Sequence, residues 1–129
     1  MRTIEWDNGV VRMIDQRKLP HQYREVEFTD YRDVARAIKE MYIRGAPAIG
    51  AAAAYGLALA AVHSEAQTLP DLKAEVTGAA EVLHATRPTA SNLFWALRRM
   101  TAKLGDEQLQ TADQLRDALV ADCLLYTSD

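Results

Sequence analysis

A single cysteine, Cys123, is all the thiol chemistry in the chain, so no internal disulfide can form. No Cys/His cluster at metal-ligand spacing surrounds it, and His21, His63 and His84 are isolated from one another. This usage fits a reducing, cytoplasmic setting and points to no metal or other cofactor. Basic charge is not in excess either: 15 Lys and Arg stand against 18 Asp and Glu, a formal charge of −3, with no basic run to track phosphates. Nucleic acid is therefore not the expected partner. Long apolar runs are equally scarce. The uncharged stretch from Ala46 to Val62 falls short of the roughly 20 residues a membrane crossing needs and is mostly Ala and Gly, so it reads as a helix buried in a protein core, with no membrane partner. Glu5 and Asp7 stand where a secretion signal would carry its apolar region.

What is present describes one α+β domain. Ile4 and Trp6 precede Asp7-Asn8-Gly9, and Asn-Gly is a strong hairpin signal because both residues tolerate positive φ; Val11 and Met13 follow at period two. A third run, Tyr23 to Phe28, puts Val26 and Phe28 on one face and Glu25 and Glu27 on the other. Residues 1–29 should form a small antiparallel sheet.

From Asp30 the period becomes helical. Val34, Ile38, Met41 and Tyr42 share a face, with Thr29 or Asp30 as cap and a stop expected near Arg44-Gly45. Pro47 begins the uncharged helix, which runs to about His63. Pro70 starts the next, with Leu72, Val76, Ala79, Ala80 and Leu83 as its apolar stripe and Arg87-Pro88 as its end. Thr89 or Ser91 is available to cap a fourth helix through Leu93, Ala96, Leu97, Met100 and Leu104, stopped by Gly105. Thr111 with Gln114 reads as the capping box of a fifth, through Leu115 and Leu119. A helical bundle over 30–122 is expected.

Two segments place an arginine directly before a helix start. In Arg44-Gly45-Ala46-Pro47, small residues leave the unpaired backbone N–H groups of the helix uncovered, and Arg44 adds a planar cation; this suits an anion such as phosphate. In Arg87-Pro88-Thr89-Ala90-Ser91-Asn92, hydroxyl and amide groups beside Arg87 suit a sugar or a phosphate. Each segment is also ordinary helix punctuation beside a solvated arginine, and the two reinforce each other only if they meet in space. Cys123 reads as a buried structural thiol, His84 as a neighbour of Arg87, and no pair of carboxylates reads as an acid and base.

The opening Thr3-Ile4-Glu5-Trp6, the block Met41-Tyr42-Ile43-Arg44-Gly45-Ala46-Pro47-Ala48-Ile49-Gly50 and the segment Arg87-Pro88-Thr89-Ala90-Ser91-Asn92-Leu93 resemble, in order and spacing, those of the 5-methylthioribose-1-phosphate isomerases. Ribose-1,5-bisphosphate isomerases and regulatory subunits of the translation-initiation exchange factor share looser versions. The resemblance implies a cofactor-independent enzyme of methionine salvage that turns a closed aldose phosphate into an open ketose, as a homodimer. It implies substrate contacts from Arg44, Gly45, Ala46 and Arg87. It further implies that the catalytic cysteine and aspartate belong to a larger Rossmann-like C-terminal domain that this chain lacks, and that no catalytic residue lies in it. After Asp122 the likeness fades, so 1–122 is expected to be a substrate-binding domain and 123–129 an atypical tail left by truncation or a misread end.

Overall fold

A computed structural model describes residues 4–18, 24–43 and 45–127. Strands β1 (Ile4–Asp7) and β2 (Val10–Ile14) form the expected hairpin, paired from Ile4↔Met13 to Asp7↔Val10. Asn8 at φ 51° and Gly9 at φ 88° make the two-residue turn, the pair of positive φ values that matches strand twist. Strand β3 (Glu25–Phe28) adds antiparallel to β2, giving a three-stranded sheet in the order β1-β2-β3. Val11 and Met13 are fully buried on its inner face, while Arg12 on the outer face pairs with Glu27 and Asp7, each at 2.7 Å. These exposed pairs, the hydrogen bond to Glu27 foremost, raise the Arg12 pKa above its ordinary value.

Five helices follow: α1 (Tyr31–Lys39), α2 (Ala46–Val62), α3 (Leu69–Thr86), α4 (Ser91–Thr101) and α5 (Ala112–Thr127). The α+β class and the order of elements are those read from the pattern. Asp30, not Thr29, caps α1 by accepting from the Arg32 N–H at 2.8 Å. Thr68 caps α3 through the Asp71 N–H, and Pro70 falls in the first turn, where no donor is needed. The Thr111/Gln114 capping box is present in both directions, at 3.1 and 3.3 Å.

Helix α2 is the centre of the molecule. All four other helices pack on it, as do β1 and β2, so most of the stretch without charge, from Ile49 onward, is buried. Small residues allow this crowding: a Cβ on Gly56 would come within 3.1 Å of Leu83 and 3.2 Å of Val34. Trp6 stacks on buried Tyr55 at 6.0 Å, and the His63 Nε2–H donates to the Gly9 carbonyl at 2.7 Å, fastening the hairpin to both the middle and the end of α2. At that end the Arg116 guanidinium donates to the carbonyl of Ala61 in the last turn and to those of Ser64 and Ala66 just beyond it. Helix α5 continues through buried Cys123 to Thr127, extending the Leu115/Leu119 stripe by one turn. No helix of the described residues is long and apolar enough to cross a membrane.

Candidate anion-binding cleft

The segment between α1 and α2 departs from the expected continuous run to Arg44-Gly45. Helix α1 ends at Lys39, five residues early, because Met41 enters the left-handed region at φ 64°. The Met41 N–H then donates to Ile38 O at 3.2 Å and the Tyr42 N–H to Ala37 O at 2.9 Å, the paired closure that ends many helices. Met41 therefore leaves the apolar face on which periodicity put it and stands 45% exposed.

Tyr42 is held from below. The Gln16 N–H donates to its carbonyl at 2.7 Å, and the Arg17 guanidinium lies 4.0 Å from its ring centroid. Arg17 is itself forked onto Asp15, at 3.0 and 2.9 Å, and that carboxylate is only 1% exposed. The hydrogen bond to Asp15 drives the Arg17 pKa well above its ordinary value, with the charges of Asp15 and Glu40 adding. The sheet end thus fixes where the chain enters α2.

Helix α2 starts at Gly45, at φ 90° and ψ 136°, with no side-chain cap; Pro47 sits in its first turn. Its first backbone closure among the described residues is Ile49 N–H to Gly45 O, so Ala46 and Ala48 belong to the first turn, whose N–H groups find no acceptor within the helix itself. Helix α4 starts the same way. Neither Thr89 nor Ser91 caps it, contrary to expectation: the cap position is Ala90, which has no side-chain oxygen to offer. The first closure there is Phe94 N–H to Ala90 O, leaving Ser91, Asn92 and Leu93 as donors.

Both starts open on one cleft of about 440 Å³, lined by Met41, Gly45, Ala46, Ile49, Arg87, Ala90, Ser91 and Asn92. Of the residues singled out from the sequence, Gly45, Ala46 and Arg87 meet there, while Arg44 lies outside the described residues. Arg87 is half-buried and forms no ion pair with a described carboxylate. Two positive helix ends and a guanidinium therefore face the same space, a setting suited to an anion. Met41, Ile49 and Ala90 were not singled out as site residues, although all three lie within the quoted sequence blocks. Thr89 does not line the cleft. His84, expected beside Arg87, turns away and meets the Phe94 ring at 5.9 Å.

No carboxylate, imidazole or thiol among the described residues lines the cleft. Cys123 is buried, and burial, aided by the charge of Asp122, pushes its pKa up to about 12, so it is no nucleophile at neutral pH. Nor do the described residues contain a group of His, Cys, Asp and Glu suited to a metal. A larger cleft, about 630 Å³, opens near the other end of α2. It holds the negative end of that helix together with Asp30, Glu65 and Glu75, an acidic excess over its one arginine, Arg32, that disfavours an anion.

A small three-stranded sheet carrying a five-helix bundle defines a fold class, and comparison agrees on the fold. The chain belongs to the initiation factor 2 subunit family, whose model matches residues 42–128. A methylthioribose-1-phosphate isomerase from Syntrophotalea carbinolica is 50% identical over 93% of the chain, and one from Geobacter sulfurreducens 45% identical over 95%. The chain spans 35% and 36% of their respective lengths. The crystal structure of 5-methylthioribose 1-phosphate isomerase from Pyrococcus horikoshii OT3 superposes with a TM-score of 0.93 at 42% identity, over 97% of this chain and 35% of that one. The delta subunit of translation initiation factor eIF-2B from A. fulgidus does so at 0.89 and 38%, over 98% and 36%.

Proposed function

We propose that residues 1–122 form the sugar-phosphate-binding domain of a methylthioribose-1-phosphate isomerase, which converts 5-methylthioribose 1-phosphate to 5-methylthioribulose 1-phosphate in methionine salvage. The observation that carries this reading is the convergence of two uncapped helix starts and Arg87 on one cleft. Gly45 and Ala46 bring backbone N–H groups to the phosphate, Arg87 supplies charge, and Arg44, next to Gly45 in sequence, is assigned to the same anion. Ser91 and Asn92 offer hydrogen bonds to ring hydroxyls. The names of the relatives supply the substrate class, and the whole protein is proposed to be cytoplasmic and homodimeric.

The chain by itself is proposed to bind without turning substrate over. Opening the ring and moving hydrogen between two carbons requires an acid and a base, and the described cleft lining contains neither. The likeness to the eIF-2B delta subunit supports a second reading, a regulatory protein that senses a sugar phosphate in the same seat.

The test is calorimetric titration of the chain and of Arg87→Ala with methylthioribose 1-phosphate and with methylthioribose. Losing a charge-assisted hydrogen bond of about 1.5–3 kcal/mol should weaken the phosphorylated ligand about ten- to a hundredfold. The dephosphorylated sugar should be unaffected. Equal effects on both, or none, would leave Arg87 as helix punctuation.

A further inference from the structure

We propose that Met41 determines specificity in this cleft, its thioether forming the apolar wall against which the end of the sugar remote from the bound phosphate packs. A 5-alkylthio substituent is thereby favoured over a free 5-hydroxyl. The inference rests on the phosphate reading of the cleft given above.

The backbone at Met41 is the first ground. Its φ of 64° lies in the left-handed region that side chains rarely adopt, and the closure of α1 that requires it would be made with less strain by glycine. The helix end therefore accounts for the conformation but not for the side chain. Strain of this kind persists where its surroundings hold it, and here Tyr42 is anchored to the sheet through Gln16 and Arg17.

The second ground is where the side chain stands. Val34 and Ile38, on the same stripe, are fully buried, whereas Met41 is 45% exposed and lines the cleft. It thus contributes little to the core. The third is the mixed lining of the cleft. Arg87, Ser91, Asn92 and the two helix starts contribute polar and positive groups to its lining, while Met41 and Ile49 contribute apolar surface. A ligand charged at one end and apolar at the other matches both kinds of lining. An unbranched, polarisable thioether adapts to such a substituent more readily than a branched side chain does.

The experiment compares the chain with Met41→Gly and Met41→Asn, both of which tolerate positive φ, so each should fold with an unchanged or higher melting temperature. Each protein is titrated with inorganic phosphate, ribose 1-phosphate and 5-methylthioribose 1-phosphate, followed by backbone amide shifts. Wild type should prefer the methylthio ligand over ribose 1-phosphate by about fivefold, the scale of one or two buried methylene equivalents. Both variants should lose that preference and keep their affinity for inorganic phosphate. A preference that survives in both variants overturns the role of Met41 while leaving the phosphate seat intact. If no phosphate species binds, or binding survives Arg87→Ala, the reading of the cleft fails and the inference with it.

Discussion

Gly45 and Ala90 begin two different helices that open on one cleft, and neither has a side-chain oxygen to offer the N–H groups that follow it. Backbone donors that a serine or aspartate would ordinarily satisfy are left for something else to fill. Ala90→Asp separates the two demands. Ala90 already has the extended backbone of a cap residue (φ −79°, ψ 110°), so a carboxylate there should stabilise α4 by about 1 kcal/mol. It would also occupy the seat and repel phosphate. Thermal melting should rise while phosphate affinity falls; a rise in both stability and affinity would show that the donors of α4 serve no ligand.

Gly45 and Gly78 make a matched pair for measuring backbone cost. An added Cβ meets nothing within 4 Å at either position, but Gly45 sits at φ 90° whereas Gly78 lies within α3. Gly45→Ala should therefore destabilise by about 1–3 kcal/mol through conformation alone. Gly78→Ala should stabilise by up to about 1 kcal/mol, the difference in helix propensity. Denaturant midpoints for the two variants check both signs.

Much of this architecture was legible because the signals were local. Asn8-Gly9 specified its turn, the Thr111/Gln114 box its helix, and the uncharged run of α2 its central burial. The end of α1 was not legible. Its terminating residue is Met41 rather than glycine, and an apolar residue seven places after Val34 reads as core. The cap of α4 was misread for a related reason: Thr89 and Ser91 have the right chemistry, but Ala90 has the position. As for the site, Gly45, Ala46 and Arg87 stood out as helix punctuation in the sequence, but their meeting depends on α2 and α4 packing together, which no local pattern encodes.

Arg116 is predicted to matter for folding more than any surface arginine. Its guanidinium holds the carbonyls of Ala61, Ser64 and Ala66 at 2.9, 3.0 and 2.6 Å. Arg116→Ala should cost about 1.5–3 kcal/mol, since charge-assisted bonds to partly buried acceptors are lost. Arg116→Lys should recover only part, because an ammonium lacks the fork that spans three carbonyls. Arg32→Ala, at an exposed pair, is the control and should cost about 0–1 kcal/mol.

Cys123 should make stability fall at alkaline pH. Burial holds its folded pKa at about 12, against an ordinary value of 9.0. Between those values the unfolded chain releases the thiol proton and the folded chain keeps it, so the unfolded state binds fewer protons and is favoured as pH rises. The contribution is fully present below about pH 9 and is lost by about pH 12. Denaturant titrations across that range should show the slope in the wild type and a shallower one in Cys123→Ala.

The central claim is that two helix starts bind one anion, and amide chemical shifts during a phosphate titration test it directly. The N–H groups of Ala46 and Ala48 at the start of α2 and of Ser91, Asn92 and Leu93 at the start of α4 are the first-turn donors to follow. The account predicts that both sets move along one saturation curve with a single dissociation constant, and that Arg87→Ala weakens both together. Movement of one set alone, two unrelated curves, or shifts confined to the acidic cleft around Glu65 and Glu75 would contradict it.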